Sequence, residues 1–546
     1  VLRKEISSWD ICGGVALFDL IIANGSVIDG TGAPGIKSDV GIVGERIEAI
    51  DDLVGAEARR VIDAKGLVVS PGFVDPHTHS DADLLMDPQH AYGLRQGITT
   101  EILGLGGISF APLSQSNYRM YSHWLTGILG EPPEDVDVSN ITSFRANYHR
   151  KVAINSAYLV PSGAIRIEAK GFQSGRLDDD EMRAAVRLVR ESLEQGAVGF
   201  SNTSHNYPGT WNDTSELIEL AKAVRDGGGI YVDASEPFNA RRAYGAAEGP
   251  PEWLEIARKS GSRMHFAHYR TGPRTSGKVT EIMADRDAAR AEGVDFTLDI
   301  YPYPTGGTVP ATFLPSSFQE GGPDAILKRL SDPKQRQTAA EYLEGNQDPV
   351  RVKELESMVL SYVAGDPDME GRTLKDVASQ RGMSPGETLC SVLLENDLKV
   401  GYWGEPPDAS VWRQINEDAM ELLARPDYMV CSDITPAGGK PHPRTFGAYP
   451  RFLGRFRREI GGLSLEGMIE RMTDRPARRY GITHRGRIQK GYFADLTVFD
   501  AENIADTATY DNPRQYPVGI PYVVVNGQVA VDNEQCSGVL AGHAVP

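Results

Sequence analysis

Two histidines one residue apart, His77 and His79, close an apolar run that includes Val68, Val69, Phe73 and Val74. Side chains alternate along a strand, so both imidazoles leave on the same face. Two neutral imidazoles so placed make half of a divalent-cation site. A His-x-His is a short motif and is equally consistent with loop histidines at a surface, so the other ligands must come from elsewhere in the chain. Asp433 follows the apolar run Tyr428-Met429-Val430-Cys431, and His268 follows Met264-His265-Phe266-Ala267. Taken singly, the histidine reads as a satisfied core residue and the aspartate as a turn cap. Converging with His77 and His79, they read as ligands. An ion held by His77, His79 and Asp433 with one open position lowers the pKa of a bound water toward about 7 and polarises a carbonyl. Asp433 takes a proton from that water and passes it to a leaving group. This is the chemistry of amide hydrolysis.

Such residues need a scaffold that delivers strand ends to one place. Eight apolar runs, each followed by a charged helical pattern, occupy 68–79, 98–107, 153–163, 197–208, 229–237, 264–272, 294–304 and 428–436. Between the fourth and third lies 178–196, which opens on acidic residues and stops at a glycine, as a helix should. Eight β-then-α units predict a (β/α)8 TIM barrel of the α/β class, with a doubly wound sheet as the alternative. Chemistry in such a barrel sits at the C-terminal strand ends. Besides the residues named above, these ends carry His205, Tyr207, Asp233, Glu236, Arg270, Asp299, Tyr301 and Tyr303. The stretch from 305 to 427 is too long for one crossover and predicts a helical insertion at about 310–427. Short strand patterns with Asn-Gly turns recur at both ends of the chain, at Asn24-Gly25 and Asn526-Gly527. They predict a small β domain built from both termini, 16–70 with 485–546, around a barrel at 71–484.

The chain has 546 residues, 40% hydrophobic and 24% charged, an ordinary globular composition. Its formal charge of −19 argues against nucleic acid or an anionic membrane as partner. It leaves room for a small anionic substrate met by a local arginine, and for a homo-oligomer. The four cysteines, Cys12, Cys390, Cys431 and Cys536, form no Cys-x-x-Cys and fit a reducing compartment. No run of 18 apolar residues predicts a membrane span, and no signal-peptide pattern follows Val1. The expected location is the cytoplasm.

From residue 18 to 532 the chain resembles the amidohydrolase superfamily and, more closely, the D-aminoacylase or N-acyl-D-amino-acid deacylase family. The resemblance rests on "PGFVDPHTHSD" (71–81), "QGITTEILGLGGISFAPLS" (96–114), "EQGAVGFSNTSHNYPG" (194–209), "LDIYPYPTGGT" (298–308), "CSDITPAGGKPHPRTFGAYPRFLGR" (431–455) and "KGYFADLTVFD" (490–500). It implies a barrel with a small β-sandwich, a zinc site, and release of free D-amino acids from N-acyl precursors. It further implies metal ligation by His77, His79, His268 and Asp433, a carboxylate grip by Arg270, and a pocket lined by Tyr207 and Tyr303. The chain departs from the family at two ligands. The strand-two block normally reads Gly-Asn-Cys-Gly, whereas here Gly106 stands at the cysteine's place, and Ala234 stands near the place of the strand-five histidine. Glu101 lies about 16 Å down strand two from Gly106, out of reach. Asp233 and Glu236 flank Ala234 as candidate replacements. These losses predict one zinc ion at His77, His79 and Asp433, or none. In the latter case the same fold serves a metal-free hydrolase, a lyase or isomerase, or a non-catalytic binder.

Overall fold

In the computed structural model, residues 17–203, 205–234, 251–345 and 347–546 are described. The apolar runs become the parallel strands β1 (Phe73–Asp75), β2 (Ile98–Leu103), β3 (Asn155–Pro161), β4 (Gly199–Asn202), β5 (Ile230–Asp233), β6 (Met264–Phe266), β7 (Phe296–Ile300) and β8 (Tyr428–Val430). Each pairs with the next in sequence order. The ring closes just beyond β1 and β8, where Thr78 bridges Ile434 in parallel. There the His79 amide donates to the Ile434 carbonyl at 2.9 Å, and the Asp433 amide to the His77 carbonyl at 2.9 Å. Alternate residues turn inward, so Val74, Ile102, Leu159, Val232 and Met429 share one interior cluster with Tyr480, Ile482 and Val545. The C-terminal tail reaches this cluster by pairing with β3, the Val545 amide donating to the Ser156 carbonyl at 2.8 Å.

Outside the strands the expected helix forms at Asp179–Glu194. The Asp178 side chain accepts from the amides of Asp180 and Glu181 and closes a capping box with Glu181. The small domain is a sandwich of two sheets. A seven-stranded sheet joins N-terminal strands such as Val68–Pro71 to C-terminal strands such as Leu496–Phe499, and a four-stranded sheet lies against it. Alternating residues, among them Leu20, Ile22, Val40, Ile42, Leu496 and Val498, fill the space between.

Two expectations change. The turn at Asn24-Gly25 is no hairpin: Leu20–Ala23 pairs within the four-stranded sheet and Ser26–Val27 within the seven-stranded one. Asn24, at φ 63°, hands the chain from one sheet to the other. The turn at Asn526-Gly527 does join paired antiparallel strands. The region between β7 and β8 is not purely helical either. It carries a three-stranded antiparallel sheet of Gly307–Thr308, Val400–Gly404 and Met358–Val363. Its partners are remote in sequence, so local pattern does not reveal the pairing. Its Trp403 ring meets His442, beyond β8, at 6.2 Å between centroids.

Candidate metal centre

The bridge that closes the barrel also builds the site. Thr78 turns outward, its hydroxyl donating to Glu101 Oε2 at 3.2 Å. Alternation then turns His77 and His79 the other way, toward the chain leaving β8. His77 Nε2 and His79 Nε2 each lie 3.3 Å from Asp433 Oδ1, and all three side chains are buried. Two positive φ angles occur here on non-glycine residues, 53° at Asp433 and 39° at His268. Each costs about 1–3 kcal/mol, a strain found at functional sites.

Charge around Asp433 is tightly balanced. Arg444, 1% exposed, approaches its Oδ2 at 2.7 Å. Burial opposes ionisation of Asp433, but Arg444 and His77 outweigh it and hold the carboxyl well below the usual range. Burial likewise opposes a charge on His77, yet Asp433 and Asp299 push it up to about 9. His268 is pushed down to about 3 by burial and by His77, whose ring lies 4.9 Å away between centroids. The ion-free cluster therefore holds anionic Asp433 and Asp299 against cationic Arg444 and His77.

The donor set fits zinc. Tetrahedral zinc with ligands at about 2.0–2.1 Å sets neighbouring ligand atoms about 3.3 Å apart, the spacing found here between each imidazole and Asp433. Nitrogen, nitrogen and carboxylate oxygen suit that ion. A second group, His77, Asp299 and Cys431, also lies close enough to hold an ion. It is less suited. Asp299 already accepts from His265 Nε2 at 2.8 Å, the His268 amide at 2.5 Å and Cys431 Sγ at 3.1 Å. Burial and the Asp299 carboxylate also push the Cys431 thiol well up.

The remaining expected residues fall in several places. His268 stands beside His77 without entering the three-ligand cluster. Arg270 stacks on the Tyr301 ring at 4.4 Å and donates to the Tyr301 hydroxyl at 2.5 Å and to the Pro304 carbonyl at 3.1 Å. Tyr303 lies one step away: its ring meets His442 at 5.3 Å, and Arg451 lies over it at 4.8 Å. Tyr207 packs on Trp211 at 5.1 Å. Asp233 is no replacement ligand. Ala234 belongs to the barrel-interior cluster, so its neighbour Asp233 faces outward, where it acts on Arg286 of the helix Val279–Ala291. Glu236 lies outside the described residues. Glu101 is no ligand either, since its Oε1 is bound to His90 Nε2 at 2.6 Å. Sequence reasoning passed over Arg444 and the partners of Asp299. Arg444 opens the short helix Arg444–Arg451, and its only signal was its place in the block that follows Asp433.

Comparisons with known proteins agree with this architecture. The pattern of the amidohydrolase family matches residues 60–211 and 335–531. A D-aminoacylase of Alcaligenes xylosoxydans xylosoxydans is 30% identical over 542 residues, 97% of each chain. An N-acyl-D-glutamate deacylase of the same organism is 32% identical over 514 residues, 93% of each. Among solved structures, the N-acyl-D-glutamate deacylase of Bordetella bronchiseptica is 29% identical with a TM-score of 0.79, covering 97% of this chain and 100% of that one. It was solved with zinc and a phosphonate inhibitor that mimics the tetrahedral intermediate of its reaction. By both sequence pattern and full-length similarity, this chain belongs to the amidohydrolase family.

Proposed function

We propose that this chain is a zinc-dependent hydrolase that cleaves the amide bond of an N-acyl-D-amino acid. The observation that carries the reading is the pair of 3.3 Å approaches of His77 and His79 to Asp433 Oδ1, made by the bridge that closes the barrel. His77, His79 and Asp433 would hold the ion. Bound there, zinc would supply a water of lowered pKa and polarise the scissile carbonyl. The chain's own groups do the rest. Asp433, kept ionised by Arg444, accepts a proton at its carboxylate and holds it weakly, so it readily surrenders it to the leaving amine. Arg270, held by Tyr301 and carbonyl oxygens, presents a cation for a substrate carboxylate. Near-complete burial of the ligands strengthens each of these interactions.

The glycine at 106 and the alanine at 234 favour one ion over two. A small carboxylate substrate, no nucleic acid and a cytoplasmic setting complete the reading. Cys390, Cys431 and Cys536 are free thiols, which supports a reducing compartment. Among the described residues no helix is long and apolar enough to cross a membrane.

The test is a zinc-loaded preparation offered N-acetyl-D- and N-acetyl-L-amino acids, neutral and acidic, with free amino acid measured directly. Release from D-forms that is lost in Asp433→Asn supports the reading. Absence of release from every N-acyl-D-amino acid contradicts it.

A further inference from the structure

We infer that Asp299 is a positioning residue that fixes the orientation and tautomer of His77. The inference deepens the zinc reading and rests on it. Asp299 is 0% exposed inside the barrel, on β7, with acceptor-only oxygens. Its Oδ2 takes His265 Nε2 at 2.8 Å, and its Oδ1 takes the His268 amide at 2.5 Å and Cys431 Sγ at 3.1 Å. His265 is itself fixed from behind, its Nδ1 lying 2.8 Å from Thr297 Oγ1. The chain Thr297–His265–Asp299 therefore has little freedom to turn. Its carboxylate points at one more group, His77 Nδ1, 3.7 Å from Oδ1.

That nitrogen is buried and has no hydrogen-bond partner among the described residues. At 3.7 Å the contact is too long for a hydrogen bond but within ion-pair range. For His77 to offer a lone pair at Nε2, where Asp433 and His79 converge, its proton must reside on Nδ1. A carboxylate facing Nδ1 selects that tautomer and raises the basicity of the ligand. His79 Nδ1 is also buried and without a hydrogen-bond partner among the described residues. The carboxylate given to His79 is Asp433, on its Nε2 side. The two ligands are thus supported unequally, and His77 is the one that depends on the protein interior.

Asp299→Asn keeps the shape and removes the charge. Zinc affinity, measured by competition with a chromophoric chelator, is expected to fall 10–100-fold, in line with the loss of such outer partners, while the melting temperature of the ion-free protein supplies the control for a purely structural role. If Asp299→Asn fails to fold, the wild-type protein still decides. With 15N-labelled histidine and zinc bound, His77 is expected to carry its proton on Nδ1 and its metal on Nε2. A wild-type chain that binds no zinc overturns the metal reading and this inference with it. Zinc binding by the wild type with unchanged affinity in Asp299→Asn, or metal on His77 Nδ1, overturns this inference alone.

Discussion

Gly106 offers the sharpest test of how the ion site is bounded. A Cβ placed on it would lie 3.6 Å from His79 Cε1, 3.7 Å from Asn206 Nδ2 and 3.9 Å from Ile108 Cγ1, all ordinary contact distances. Space therefore does not forbid a side chain there. Conformation does resist one: φ is 63°, and an L residue in that region costs about 1–2 kcal/mol. Gly106→Ala measures this strain alone. Gly106→Cys adds a thiolate next to His79, and a thiolate that joins the ion should tighten binding by at least tenfold, about 1.4 kcal/mol. Ligand binding adds directly to stability. Denaturant unfolding of both variants without zinc should thus show a loss of about 1–2 kcal/mol. With zinc in excess, the cysteine variant should recover about 1.4 kcal/mol relative to the alanine variant, and its zinc Kd should be lower by the same factor. An alanine cost above about 4 kcal/mol, the range of severe overpacking and strain, would refute the claim of space. Identical behaviour of the two variants with zinc would refute the claim that Gly106 borders the ion.

Arg444→Met removes the cation 2.7 Å from buried Asp433 and should destabilise the ion-free protein by about 3–5 kcal/mol, read as a fall in unfolding midpoint. Arg270→Ala should raise Kd or KM for a carboxylate substrate by roughly tenfold to a hundredfold, about 1.5–3 kcal/mol, with zinc content unchanged, while an uncharged amide loses far less. Asp213 caps the helix Thr214–Asp226, and Asp213→Ala should cost about 0.5–2 kcal/mol. Burial opposes the Asp213 charge, but its bonds to Arg176 and the helix amides hold it down at about 2. A depressed carboxyl stabilises the fold above its ordinary range and loses that contribution as pH falls through about 2, so acid titration of Asp213→Asn should lack this component. Burial pushes Cys390 up to about 12 and also raises Cys431, so neither should react with a thiol reagent at neutral pH until the protein is unfolded.

The barrel was legible because its signal is local and repeated. Each strand is a short apolar run, and some of the helices between them carry their own start residues, as the Asp178 and Asp213 caps do. His77, His79 and Asp433 were legible because the fold rule places chemistry at strand ends and because strand eight must close on strand one. What stayed hidden depends on contacts distant in sequence. Arg444 reaches Asp433 from the start of the helix Arg444–Arg451, and the sheet between β7 and β8 pairs strands separated by several helices. Asp233 misled because flanking a lost ligand in sequence places a residue on the opposite face of the strand. The Asn24-Gly25 turn misled because its local chemistry serves a crossing between sheets as well as a hairpin.

Diffraction from zinc-soaked crystals at the zinc absorption edge tests the central claim most directly. The account predicts one strong anomalous peak per chain, about 2.0–2.1 Å from His77 Nε2, His79 Nε2 and Asp433 Oδ1. A peak instead among His77 Nδ1, Asp299 and Cys431, or no peak at a zinc concentration that supports activity, would contradict it.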